Sequence, residues 1–328
     1  MTASQLAGWT PIWIVPQPAG PQVDWCHLNG LRFTHPFFND TIDHAVRHPF
    51  NLLFRQRTSI DLLGEMHATR PGLHPTGFIF HMSRCGSTLI SQMLAALPQN
   101  LVVSEAGPID AILRANLWNP KFDENQRILW LQWLVSALGQ PQQAGQKHCF
   151  IKFDSWNTLD LPLIHKAFPG VPWIFVYREP VEVIVSNMKQ IAGKMLPGAV
   201  PPSWLGCDLI TALQMSREEY CARALAKYCH SALAHHQQHP GLLINYNQLP
   251  DVVFSSIGDF FKQDWSASEI ELMRQVTRFN VKNPSQPFAT DTEAKTREAS
   301  DLIRQQADQW GRPLHNQLEV ARRGQFHS

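Results

Sequence analysis

The chain has 328 residues, 44% of them hydrophobic and 17% charged, with a net charge of +1. That length and apolar content support a packed core and exclude general disorder. Near-neutrality excludes a whole-molecule field that would collect nucleic acid or an anionic membrane, so neither partner is expected and any anion site must be built locally.

Residues 1–20 lack a basic segment followed by an apolar run and a small-residue cleavage site, so no signal peptide is expected. The longest apolar stretch, 128–138, is interrupted by Gln132 and Ser136 and is too short to span a bilayer; it reads as a buried helix. The six cysteines form no C-x-x-C pair and suit reduced thiols in a cytoplasm better than a disulfide framework.

In chain order, residues 1–75 stand apart as an N-terminal extension or small subdomain rich in Pro, Trp and His. Apolar strings at 11–15 and 28–33 predict short strands, and a helix is expected within 41–63, ending before the turn-prone Arg70-Pro71-Gly72. From Gly77 the pattern alternates strand and helix, giving one α/β domain over 76–328. Strands are predicted at Phe78-Ile79-Phe80, Leu101-Val102-Val103, Cys149-Phe150-Ile151, 173–177 and Leu242-Leu243-Ile244. Helices are predicted over 87–97 and over 109–138 with a break near Asn119-Pro120, while 291–323 reads as one or two outer helices. Continuous apolar strands separated by helices imply a parallel sheet flanked by helices on both faces, a P-loop-like arrangement.

Ligands of such sheets sit outside the carboxyl ends of the strands. Those ends read His81-Met82-Ser83-Arg84-Cys85-Gly86-Ser87-Thr88, then Ser104-Glu105, then Lys152, then Arg178. Gly86 permits an unusual backbone angle, and Ser87 and Thr88 open a helix whose N–H groups and positive dipole end favour phosphate or sulfate. Arg84 adds a charge-assisted contact. A Walker loop would require glycine at His81 and lysine directly after Gly86, and neither is present. The same residues would also serve as an ordinary strand-to-helix turn with a serine cap. In Tyr177-Arg178-Glu179-Pro180 the proline starts a helix that carries Ser186 one to two turns in, within reach of a phosphate held by Arg178.

Ser83-Arg84-Cys85-Gly86-Ser87-Thr88-Leu89 resembles the 5′-phosphosulfate loop of sulfotransferases that use 3′-phosphoadenosine 5′-phosphosulfate (PAPS), and Tyr177-Arg178-Glu179-Pro180 through Ser186 resembles their 3′-phosphate element. The likeness covers roughly 77–189 and, more weakly, Asn245-Tyr246-Asn247-Gln248-Leu249; residues before 75 lie outside it. Cys85 stands where serine is usual; the loop backbone does most of the binding, so the departure is expected to be tolerated, while leaving binding open to thiol modification. The resemblance implies a sulfotransferase-type fold, PAPS as donor and 3′-phosphoadenosine 5′-phosphate (PAP) as product, without a metal. It implies donor contacts from Ser83, Arg84, Cys85, Gly86, Ser87, Thr88, Arg178, Ser186 and, in a loop closing with Lys282, Ser285. The tyrosylprotein and Golgi-like branch is the nearest in pattern, because a carboxylate follows the second strand. On that likeness Glu105 is the base and Lys152 sits near the transferring group, with Arg84 meeting developing charge.

The acceptor, a small molecule or peptide bearing a hydroxyl or amine, and the oligomeric state are not legible. A histidine base, with His148 as candidate, and Asp154 as a metal ligand remain alternatives. So do a nucleotide-dependent phosphotransferase and a non-catalytic nucleotide-binding module on the same scaffold. The 15 histidines include a cluster at His230, His235, His236 and His239 that reads as structural, since no zinc-type spacing is present. Trp204 is a candidate acceptor-pocket residue and 191–205 a candidate lid.

Overall fold

The structure is a computed structural model that describes residues 2–17, 20–190, 195–197, 200–280, 283–287 and 292–325. Side chains at 279–280, 283–287, 292 and 294 lie outside that description.

The N-terminal region forms an antiparallel sheet of β1 (Trp9–Val15), β2 (Gln22–His27) and β3 (Gln56–Ser59), in that order. Two sequence expectations are corrected here. The second strand falls before the apolar string at 28–33, because Asn29 and Gly30 inside that string take left-handed angles (φ 51° and 81°) and turn the chain. The helix expected within 41–63 divides into Phe38–Ala45 and Pro49–Leu53 and then yields β3, which pairs with β2 from Gln22↔Ser59 to Trp25↔Gln56. Pro49 sits at a helix start, where its missing N–H costs nothing.

The second sheet contains β4 (Pro75–His81), β5 (Asn100–Ser104), β6 (His148–Lys152), β7 (Trp173–Tyr177) and β8 (Leu242–Asn245). Every pairing is parallel and the order is β5-β6-β4-β7-β8, so the fold is α/β with a five-stranded parallel sheet. β5 and β7 are buried along their whole length, as expected of strands covered on both faces. Gly77 in β4 leaves room for the Phe261 ring, which a Cβ would meet at 2.4 Å.

Helices Ser87–Ala95, Gly107–Leu113, Glu124–Leu138, Leu161–Ala167, Pro180–Lys189 and Arg217–Gln238 make the crossovers. Their starts are chemically marked. The Asp123 carboxylate accepts from the Gln126 N–H at 2.8 Å, the Ser216 hydroxyl accepts from the Glu219 N–H at 3.1 Å, and prolines open Leu161–Ala167 and Pro180–Lys189. The C-terminal stretch is more divided than the sequence suggests, with separate pieces at Thr292–Glu298, Asp301–Gln306 and Arg312–Gly324. One continuous core runs from Leu6 through the parallel sheet to Leu318, so the N-terminal sheet shares its apolar interior. Among the described residues no helix is long and apolar enough to cross a membrane.

Two features of this topology position a site. From β4 the chain winds to one side with β5 and β6 and then to the other with β7 and β8, so β4 lies where the winding reverses. Register then aligns the carboxyl ends: Ser104 is level with Lys152, His81 with Val176, and Tyr177 with Asn245. A crevice outside those ends is where open α/β sheets bind ligands.

Candidate active site

The loop after β4 has an unusual backbone. Ser83 (φ 82°), Arg84 (φ 50°) and Gly86 (φ 90°) are all left-handed, and Gly86 directly precedes helix Ser87–Ala95. A left-handed non-glycine residue costs on the order of 1–3 kcal/mol, so two in succession persist only where surroundings hold them. One such restraint is the Ser83 N–H, which donates to His81 Nδ1 at 3.1 Å. At Gly86 a Cβ would strike Leu249 at 2.5 Å and Tyr246 at 3.0 Å, so only glycine fits beneath the turn after β8. The hydroxyl-bearing Ser83, Ser87 and Thr88 are all buried. A curved loop of this kind before a helix N-terminus is a concavity suited to an anion.

On the β5 and β6 side, Glu105 also takes a left-handed angle (φ 56°), and its N–H donates to the Lys152 carbonyl at 2.7 Å. That bend turns the carboxylate onto the Lys152 ammonium, with which Oε1 pairs; Lys152 has no solvent exposure. His81 Nε2 stands 3.4 Å from the same carboxylate oxygen. Because His81 Nδ1 accepts from Ser83, the proton resides on Nε2, which points to Glu105 and to the Phe153 carbonyl at 3.1 Å. Burial lowers the His81 pKa, and although Glu105 pulls the other way the net direction is down, so the ring is neutral. Burial alone would raise the Glu105 carboxyl; the Lys152 charge and the His81 hydrogen bond outweigh it and hold the group well below the ordinary carboxylate range.

The β7 and β8 side carries the other half. Arg178 is buried, pairs with the buried Glu182 one helical turn on (Nε to Oε2, 2.6 Å), and lies 3.8 Å over the Tyr246 ring. Its backbone N–H donates to the Met82 sulfur at 3.1 Å, tying the two loops together. Arg84 Nε donates to the Ser186 hydroxyl at 2.8 Å, and its terminal nitrogen donates to Gln190 at 3.3 Å. Arg84 thus reaches toward the helix that follows β7.

The structure therefore gathers Ser83, Arg84, Cys85, Gly86, Ser87, Thr88, Glu105, Lys152, Arg178 and Ser186 at one edge of the sheet. Tyr246 touches both the Gly86 turn and the Arg178 guanidinium. Lys282 lies outside the described residues, as does the Ser285 side chain, and the segment 191–205 is described only in part. Two expectations are corrected. Cys85 is buried, donates to the Val176 carbonyl at 3.0 Å and has a pKa pushed up to about 11 by burial, so it is shielded from thiol reagents. His148 begins β6 at its amino end, the full strand length away from Lys152, and so cannot serve as the base. Trp204 packs on the Arg114 guanidinium at 4.0 Å and edge-on to Trp156.

Asp154 caps the short helix Ser155–Asp160, its carboxylate accepting from the Ser155 N–H at 2.7 Å. Among the described residues no group of three or more His, Cys, Asp or Glu side chains is placed to hold a metal ion. His81, Glu182 and Tyr246 were not singled out from sequence. The spacing of Arg178 and Glu182, four apart at a helix start, was the available signal for one of them.

A family model described as the sulfotransferase family matches residues 75–249, more than half of the chain. No curated protein matches. Among solved structures, the sulfotransferase STF9 from Mycobacterium avium is similar at 14% identity, covering 75% of this chain and 79% of that one, with a TM-score of 0.41. The sulfotransferase domain of the Synechococcus PCC 7002 olefin synthase is similar at 16% identity, covering 74% and 96%, with a TM-score of 0.42. Sulfotransferase STF1 from Mycobacterium tuberculosis H37Rv is similar at 14% identity, covering 71% and 78%, with a TM-score of 0.39.

Proposed function

Because the chain belongs to the sulfotransferase family, we propose that it transfers a sulfuryl group from PAPS to a hydroxyl or amine of a small-molecule or peptide acceptor, releasing PAP. The observation that carries this reading is the two-sided arrangement about Gly86, with Glu105, Lys152 and His81 on one flank and Arg178, Arg84 and Ser186 on the other. The residues fit an adenosine ligand carrying an anion at each end. The left-handed loop and the helix N-terminus suit the 5′ end, and the Arg178 and Ser186 side suits the 3′-phosphate.

When bound, the donor supplies an activated sulfuryl group; the protein supplies position and charge. Glu105 accepts the acceptor's proton, a contribution of ~10²–10⁴-fold for a positioned base. Its carboxylate is already ionised, and Lys152 keeps it so. Any anion that draws on the Lys152 ammonium weakens that hold and raises the basicity of Glu105, which couples donor occupancy to base strength. Neutral His81 links the two events, since one nitrogen holds the Ser83 N–H and the other faces Glu105. The carboxylate after the second strand aligns the chain with the tyrosylprotein and Golgi-like pattern. Six free cysteines suit a reducing cytoplasm.

The test is transfer of sulfur-35 from labelled PAPS to a panel of hydroxyl and amine acceptors with and without EDTA. The reading requires label transfer that persists in EDTA. Phosphate transfer from ATP that depends on Mg²⁺, with no transfer from PAPS, would replace it with a phosphotransferase.

A further inference from the structure

The family segment begins at residue 75, yet one side chain from before it stands at the proposed reacting centre. The Phe37 ring lies over the Lys152 ammonium, with its centroid 5.1 Å from Nζ. Lys152 is fully buried, and the ring and the carboxylate that lie against its ammonium belong to half-buried residues, Phe37 and Glu105. The placement of Phe37 is well fixed. Its N–H donates to Asp40 Oδ2 at 3.2 Å where helix Phe38–Ala45 begins, and the next residue, Phe38, is sunk in the core. Two residues earlier, the His35 carbonyl accepts from Gln92 Nε2 at 3.0 Å, and Gln92 belongs to the helix that opens after Gly86. The loop bearing the ring is thus tied to the same helix that ends the anion loop.

We infer that Phe37 is a positioning residue of the acceptor side, which covers Lys152 and keeps water from taking the acceptor's place at Glu105. An aromatic face attracts an ammonium without adding a second negative charge that would neutralise it. Water is the obvious competitor of any acceptor hydroxyl. With water at Glu105, its oxygen bonds to sulfur, the bond from sulfur to the 5′-phosphate oxygen breaks, and the water proton passes to the carboxylate, giving sulfate and PAP. Exclusion of water from a site that handles a reactive group suppresses this loss. The inference rests on the PAPS reading above.

The experiment measures PAP and sulfate release from PAPS with no acceptor present, for the wild type, Phe37→Ala and Phe37→Leu, alongside PAP affinity by calorimetry. Phe37→Ala is expected to raise acceptor-free hydrolysis roughly tenfold while PAP affinity stays within about twofold; Phe37→Leu, which retains apolar bulk, stays near wild type. Unchanged hydrolysis in Phe37→Ala with intact PAP binding overturns the inference. A second readout is acylation of the Lys152 amine in the native protein by acetic anhydride, followed by mass spectrometry. The wild type should be protected and Phe37→Ala labelled, and Phe37→Val serves the same comparison should the alanine variant fold poorly. Equal labelling of wild type and variant also overturns the inference. Failure of the PAPS reading shows separately, as absent PAP binding by the wild type, and the acylation arm then still decides whether the ring covers the ammonium.

Discussion

The two ends of the parallel sheet make an instructive contrast. At the carboxyl ends of its strands, charges come in opposed pairs, Glu105 with Lys152 and Arg178 with Glu182, set on either side of the Gly86 loop. At the amino ends of β7 and β8 the sheet meets histidines. His165 stacks on His239 at 3.9 Å, and His235 lies 5.0 Å from His239 and 5.4 Å from Trp173, the first residue of β7. Burial, followed by the neighbouring rings, holds the His235 pKa at about 4, and burial also lowers His165. Titratable groups crowd both ends, but only one end opens onto a loop shaped for an anion. Position relative to the strand ends separates chemistry from packing better than residue type does.

The largest expected effect that would break this contrast is on turnover. Glu105→Gln should slow sulfuryl transfer by ~10²–10⁴-fold with PAP affinity largely kept, as read by single-turnover kinetics and calorimetry. Normal turnover would remove Glu105 from the reaction.

Next is the opposite flank. Arg178→Ala removes the guanidinium that pairs with the buried Glu182 carboxylate, so it should weaken PAP binding and also lower stability by roughly 3–5 kcal/mol. The double variant Arg178→Met with Glu182→Leu should recover most of the stability in denaturant titration but none of the binding. Recovery of both would make the pair purely structural.

Smaller effects are expected at the amino ends. With a folded-state pKa of about 4 for His235, against roughly 6.5 for an unperturbed histidine, the unfolded chain takes up the proton first. Stability is therefore full above about pH 6.5 and is lost as pH falls toward 4. Thermal melts at pH 7 and pH 5 should show this loss, and His235→Phe should reduce it without changing transfer rate. The smallest effect is at Cys85, where iodoacetamide treatment of the native protein should leave PAP affinity unchanged, because the thiol is buried and protonated.

Much of this was legible from residue order. Each strand of the parallel sheet was a short apolar run, and the residues just past each run were the ones that met. What escaped the sequence was conformation and tertiary approach. Nothing local announces that Glu105 adopts a left-handed bend that folds its carboxylate onto Lys152, or that His81 is locked as the Nε2–H tautomer by a backbone N–H two residues on. Arg84 was read from loop position alone, and its length lets it cross to Ser186. The apolar string at 28–33 reads as a strand by hydrophobicity, but its Asn29-Gly30 pair turns the chain there. Phe37 was beyond reach, since its role depends on a long-range contact from a region that the motif does not include.

The PAPS reading requires that Gly86 and Arg178 mark two ends of a single adenosine ligand. Isothermal calorimetry with PAP and, separately, with ATP and Mg²⁺ tests it most directly. Saturable, metal-independent PAP binding that Arg178→Ala weakens and that ATP does not match is expected. Tight binding of ATP with Mg²⁺ and none of PAP would contradict it.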